Sequence, residues 1–144
     1  MGKSTSAANS LLNLLCRAVA WANMADNAAS SPYTNLYIGL HTGAVAPGDD
    51  QSVNEATFGA YARLAIARTT GGWTAPSGGS LSNAALAQFV ECTSGSNLIT
   101  HVSIGVASSG ASLVLWSGAL TASRTISSGI QAQFAASALV VTES

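Results

Sequence analysis

Charge is scarce in this sequence. Its 144 residues include five Lys or Arg and six Asp or Glu, so 8% of the chain is charged. An average soluble domain carries about 25%. A phosphate backbone is bound by clustered Lys and Arg, and a chain with net charge −1 offers no such cluster, which excludes a nucleic-acid partner. Long apolar runs are missing too. The Leu11–Leu15 run is interrupted by Asn13 and followed by Arg17, and no run approaches the ~18 residues of a membrane span. No secretory signal is visible, so the chain is expected to be made and used without crossing a membrane by that route.

Chemistry-bearing patterns are equally sparse. Cys16 and Cys92 form neither a disulfide framework nor a metal motif, and buried free thiols are the expectation. A disulfide would need an oxidising compartment and close approach of the two Cα atoms. His41 and His101 have no Cys, Asp or Glu beside them at metal-ligand spacing. Each falls on the polar side of an alternating run, which suggests a hydrogen-bonded surface histidine. There is no Gly-x-Ser-x-Gly elbow, no phosphate-cradling Gly-rich loop and no pair of catalytic carboxylates, since Glu55 and Glu91 lie in different contexts. Neither an enzyme nor a bound metal or cofactor is expected.

What is present is an apolar fraction of 48% with Ser, Thr, Asn and Gln in place of charge. The length fits one domain with a core of its own. A neutral surface repels its own copies weakly. Two readings fit: a subunit packed against neighbours, or a low-charge β domain that stays monomeric.

Ser4, Thr5 or Ser6 can cap a helix starting near Ala7. Ala8, Leu11, Leu12, Leu15, Val19 and Ala22 recur at helical spacing, predicting an amphipathic helix that runs to about 23–26. Its stripe of Leu11, Leu12, Leu15 and Val19 either packs on the protein's own sheet or docks on a neighbouring subunit. The polar face lacks the Lys and Arg of a membrane-surface helix.

Residues 35–144 read as β structure. Leu36, Ile38 and Leu40 alternate with Tyr37, Gly39 and His41, the clearest strand in the chain. Residues 43–59 have no sustained periodicity and form a long loop, the kind that is usually functional or mobile. Pro47, Asp49, Asp50 and Glu55 lie there, either as a solvated tip or as a partner contact. Trp73, in a Gly/Ser/Pro-rich turn region, is either an exposed interface anchor or folded onto the core. A strand over 61–69 and an ambiguous stretch over 81–91 follow. Alternation over 98–106 and 113–120 around Ser108-Ser109-Gly110 predicts a hairpin. Residues 130–141 read as a last strand with Phe134 inward. Short strands separated by Gly/Ser turns indicate an antiparallel sandwich or barrel.

Several segments, in order, carry a resemblance. They are Leu36-Tyr37-Ile38-Gly39-Leu40-His41-Thr42 after an apolar helix, the acidic Pro-Gly loop ending in Glu55, and Gly59-Ala60-Tyr61-Ala62-Arg63. Asn83-Ala84-Ala85, His101-Val102-Ser103-Ile104-Gly105, Gly118-Ala119-Leu120, Ile126 through Gly129 and Phe134 through Leu139 complete the set. The succession resembles a family of small tailed-phage virion proteins, labelled tail-fibre or minor structural proteins and, in some phages, capsid cement or decoration proteins. That family commonly has Phe-Asp where this chain has Val106-Ala107.

The resemblance implies a β-sandwich of jelly-roll type and a structural role in a virion assembled in the host cytoplasm. It carries over no catalytic residues. The expected role is a cement protein on the head, with the major capsid protein and further copies of itself, as dimer or trimer, as partners. The alternatives are a tail-fibre or tail-tip protein, and a carbohydrate-binding module using Trp73, Tyr33 or Tyr61 as stacking platforms.

Overall fold

A computed structural model describes residues 5–21 and 33–143. One helix and eight strands are present among them: α1 (Thr5–Arg17), β1 (Asn35–His41), β2 (Leu64–Ala67), β3 (Ser80–Ser82), β4 (Ala87–Gln88), β5 (Ser96–Gly105), β6 (Val114–Ser127), β7 (Gln133–Phe134) and β8 (Val140–Thr142). The fold is mainly β with one N-terminal helix. One sheet has four strands in the order β2-β1-β5-β6, and β3 with β8 and β4 with β7 make two smaller ones. The β1–β5, β5–β6 and β3–β8 pairings are all antiparallel. The chain divides into two compact units. The first comprises Met1–Asn35, Ala67–Ala87 and Phe134–Ser144, the second Leu36–Ile66 and Gln88–Gln133.

In the first unit the helix buries Ala8, Leu12 and Cys16, spaced four residues apart along one line. Leu11 and Leu15 are only half-buried. The expected extension of the helix to 23–26 is not found: it stops at Arg17, and the stretch 22–26 lies outside the described residues. Ala18 adopts a left-handed conformation (φ 54°), and the Val19 amide donates back to the Asn13 carbonyl at 3.1 Å. The bond spans six residues, one more than in a Schellman motif, and it is the left-handed Ala18 that turns the chain out of the helix. Val19 therefore falls beyond the helix and is 41% exposed rather than part of its buried stripe. Arg68 closes the same end, donating from Nε and Nη2 to the carbonyls of Leu15 and Leu14. Those are groups that a helix C-terminus leaves without intrahelical partners.

Trp73, Leu81, Ala87, Leu139 and Val141 complete the first unit's core. Its polar hub is Asn83, fully buried. The Asn83 amide nitrogen donates to the carbonyls of Ala85 (2.7 Å) and Ala135 (2.8 Å), and its oxygen accepts from the Leu139 amide at 2.8 Å. The predicted last strand is thereby split. Residues 135–139 wrap around Asn83, with Ser137 left-handed at φ 65°, and only β7 and β8 remain as strands. The strand expected over 61–69 shortens to β2, and the ambiguous stretch over 81–91 resolves into parts of β3 and β4 with no helix.

The second unit holds the expected hairpin as β5–β6. Leu36, Ile38, Leu40 and Ile104 are buried on one sheet face, with Val45, Ala56, Phe58, Phe89, Cys92, Ile99 and Ile126 elsewhere in the core. Cys16 and Cys92 are both buried free thiols.

Two substitutions probe the helix. Ala18→Gly removes a left-handed alanine and is expected to raise stability by about 0.5–1 kcal/mol. Leu12→Ala deletes a fully buried side chain and should lower it by about 2–5 kcal/mol. Urea titration of the full chain reads both, and an unchanged Ala18→Gly midpoint would contradict the strained stop.

Candidate functional site

The alternation of β1 promised one apolar face and one polar face, and a polar face on a strand is ordinarily wet. Here it is dry. His41 is fully buried, and so is Gln51; Ser103 is 1% exposed. The expectation of a surface histidine is thus corrected for His41, whereas His101, its cross-strand partner, is half-buried. The cover is the 43–59 stretch, which contains no regular strand but folds back in two places. His41 bridges Glu55 and Asp50 bridges Leu113. The Thr42 amide donates to Asn54 (2.8 Å), Ala56 to Leu40 (2.9 Å) and Gln51 to Ser112 (3.0 Å).

Burial of so many polar groups is tolerable only if each has a partner. His41 Nδ1 lies 2.9 Å from the Val53 carbonyl and Nε2 lies 2.7 Å from Ser103 Oγ. Gln51 Nε2 donates to the Tyr37 carbonyl (2.8 Å) and to Ser103 Oγ (3.1 Å), and Ser112 Oγ donates to Gln51 Oε1 (3.0 Å).

The anchor is Arg63, 6% exposed. Its Nε and Nη2 form a bidentate pair with Glu55 at 2.6 and 2.8 Å. Nη2 also reaches the Gly110 carbonyl (2.7 Å), while Nη1 donates to the Ala107 carbonyl (3.0 Å) and Ser112 Oγ (3.2 Å). Five N–H groups, the full complement of a guanidinium, are used. Tyr61 joins from the other side: its hydroxyl donates to Glu55 Oε1 and accepts from the Leu40 amide, both at 3.0 Å. Burial, assisted by the Glu55 charge, raises the Tyr61 pKa, so the phenol keeps its proton.

Two glycines make room. A Cβ on Gly39 would lie 2.9 Å from His41 Nε2 and 3.0 Å from Ser103 Oγ. On Gly105 it would lie 2.2 Å from Gln51 Oε1 and 2.8 Å from the Leu113 carbonyl.

The Ser103–His41 contact has the distance of a nucleophile and its base. Both groups are sealed, so no substrate carbonyl can reach the hydroxyl, and the arrangement holds structure rather than performing acyl transfer. Among the described residues no group of three His, Cys, Asp or Glu could hold a metal ion. No helix is long and apolar enough to cross a membrane.

The network explains why the residue motifs take their form. Tyr37-x-Gly39-x-His41, Glu55, Tyr61-x-Arg63 and Ser103-x-Gly105 are one cluster in space. The chain matches the family model described as "Podophage GP4 fiber I protein gp80" over residues 2–142. It belongs to that family. This makes it a structural protein of a tailed-phage virion, as the resemblance implied, and the fiber name of the family is consistent with a non-enzymatic role. No curated protein matches the chain.

The residues expected to contact partners do not behave alike. Pro47 is exposed and Asp49 and Asp50 are half-buried at the same turn. Asp49 Oδ2 accepts from the Ala46 amide at 2.8 Å, and Asp50 Oδ1 accepts from the Ser52 amide (2.7 Å) and hydroxyl (2.5 Å). The bonds from Ser52 lower the Asp50 pKa, so this turn stays anionic. Glu55 faces inward to Arg63 instead. Trp73 is fully buried, so of its two readings the one that folds it onto the core holds and it is not an exposed anchor. Leu12 is buried within the first unit, while Leu11, Leu15 and Val19 retain accessible surface. Besides the charged Arg63, sequence reasoning assigned no role to Gln51, Ser103 or Ser112. They are common uncharged types with no spacing signal, and only the glycines at 39 and 105 hinted at crowding.

Arg63→Lys keeps the charge but loses the fork, stranding two carbonyls and part of Glu55. Denaturant unfolding should show a loss of about 1.5–3 kcal/mol, against roughly 0.5 kcal/mol or less for the exposed Arg124→Lys. Gly105→Ala should cost about 1–3 kcal/mol by overpacking against Gln51 and the Leu113 backbone.

Proposed function

We propose that the chain is a fiber-associated structural subunit of a podophage virion, attached through the surface of its second unit. The observation that supports this most is the family match over nearly the whole chain, to a protein described as a fiber component. The neutral surface fits assembly by shape and hydrogen bonding, because Ser, Thr and Asn can be buried at an interface without the desolvation cost of charges. In this reading the turn at Pro47, Asp49 and Asp50 is the contact with a partner. The half-buried Leu11 and Leu15 and the exposed Val19 offer a secondary docking edge. The whole chain acts as one functional domain, of the sandwich or jelly-roll type that the resemblance implies, and associates with its own copies as dimer or trimer.

A second reading is a cement protein bound to the major capsid protein on the head. It is favoured by α1 being only 13 residues long, since no described element resembles the coiled shaft of a long fiber. The carbohydrate-binding reading loses two of its three platforms: Trp73 is buried and the Tyr61 hydroxyl is bonded inside. Tyr33, 60% exposed, is left alone.

Separating heads from tails in purified virions and labelling the protein distinguishes the sites. Tail-associated label at low copy number is expected. Label on heads at roughly hundreds of copies would reject the fiber reading in favour of the cement one. Replacing Asp49 and Asp50 together with Asn should leave the isolated protein folded and reduce its incorporation into particles. Unchanged incorporation would remove that turn as the contact.

A further inference from the structure

The hydrogen bonds inside the second unit have a direction that can be derived from their ends. Arg63 can only donate, so Ser112 Oγ accepts from its Nη1 and must send its own hydrogen to Gln51 Oε1. That places Gln51 Nε2 toward Tyr37 and Ser103, and the Tyr37 carbonyl, which can only accept, requires the same orientation independently. Ser103 Oγ accepts from Gln51, which leaves its one hydrogen for His41 Nε2. His41 is then a neutral ring with its proton on Nδ1, donated to the Val53 carbonyl. The far end agrees, because Val53 also offers only an acceptor.

A second proton on His41 Nε2 would break this order. Ser103 Oγ would face donors from both Gln51 and His41, and its own hydrogen would have no acceptor in a sealed site. We propose that this relay is an acid-sensitive lock holding residues 42–56 over the sheet, closed while His41 is neutral and opened when it is protonated.

The surroundings of His41 bear on the sign. The Val53 carbonyl and Glu55 favour a positive charge there, and Arg63 and the cross-strand His101 oppose one. Burial is the largest influence, and it lowers the His41 pKa below its ordinary 6.5. In the closed form the ring stays neutral, whereas an opened loop would expose an ordinary histidine. Above about pH 6.5 both forms are neutral and the lock has its full strength. Below that, the open form takes up a proton that the closed form refuses, so opening becomes more favourable by up to about tenfold per pH unit. The gain ends once the pH passes the lowered value. The lock stands whether or not the loop contacts a partner.

Native-state hydrogen exchange of the full chain tests it. The reporters are the amides of Thr42 and Ala56, corrected for intrinsic exchange, from about pH 7.5 to about pH 5. Their opening constants should rise up to about tenfold per unit below pH 6.5. The slope should persist in His101→Gln and vanish in His41→Gln, which keeps an acceptor for Ser103 but cannot titrate. Should His41→Gln fail to fold, nitrogen chemical shifts of His41 in the unaltered protein decide instead. A neutral Nδ1–H tautomer at pH 7.5 supports the relay, and an Nε2–H tautomer overturns it. Opening constants that do not change with pH, or a slope that disappears with His101→Gln, would also overturn the lock.

Discussion

Everything in the second unit leans on the five donors of one buried guanidinium. Arg63 holds Glu55 in a fork, the Ala107 and Gly110 carbonyls, and the Ser112 hydroxyl. It thereby fastens the loop that covers β1 to the turn between β5 and β6. An ion pair with this little solvent is not in itself a large source of stability, because desolvation offsets much of the attraction. Its value is geometric. A planar, permanently charged donor fork allows few arrangements of its neighbours, and the loop has no ladder or apolar stripe of its own to fix its path.

The scarcity of charge then takes on a different meaning. Of the few ionic groups, Arg63 and Glu55 are used inside the second unit, and Arg68 closes the helix in the first. Asp49 and Asp50 are tied to their own turn by local bonds. The sequence is therefore not a normal domain with its charges diluted. Several of its charges organise irregular backbone, and the outer surface is left mostly to Ser, Thr, Ala and Gly. Such a surface neither steers nor repels over distance, so assembly depends on fit.

How much of this was readable in advance follows from the range of the interactions. The β1 alternation, the β5–β6 hairpin and the mainly β class are set by neighbours along the chain, and pattern was enough to find them. The helix end was not found, because a left-handed alanine at 18 carries none of the usual stop signals of glycine or proline. His41 was misplaced for a different reason. Period two separates the faces of a strand but does not say what lies against each, and the cover arrives from a loop with no periodicity. Trp73 was equally undetermined, since a turn-rich context says nothing about which way an indole points.

Register also joins two motifs that look independent in the sequence. Gly39 pairs with Ser103, Tyr37 with Gly105, and His41 with His101. The segments around Gly39-x-His41 and Ser103-x-Gly105 are thus opposite halves of one arrangement. Each glycine clears the volume that the other segment's polar partner occupies: Gly39 for Ser103, and Gly105 for the Gln51 amide that also bonds to Tyr37. A side chain at either glycine would displace the relay; an apolar residue at 103 would leave Gln51 without a partner for one of its donors, and one at 41 would leave the Ser103 hydroxyl hydrogen without an acceptor. The resemblance that first appeared as separate short matches is better understood as a single packed network, read off the chain in pieces because the sheet brings those pieces together.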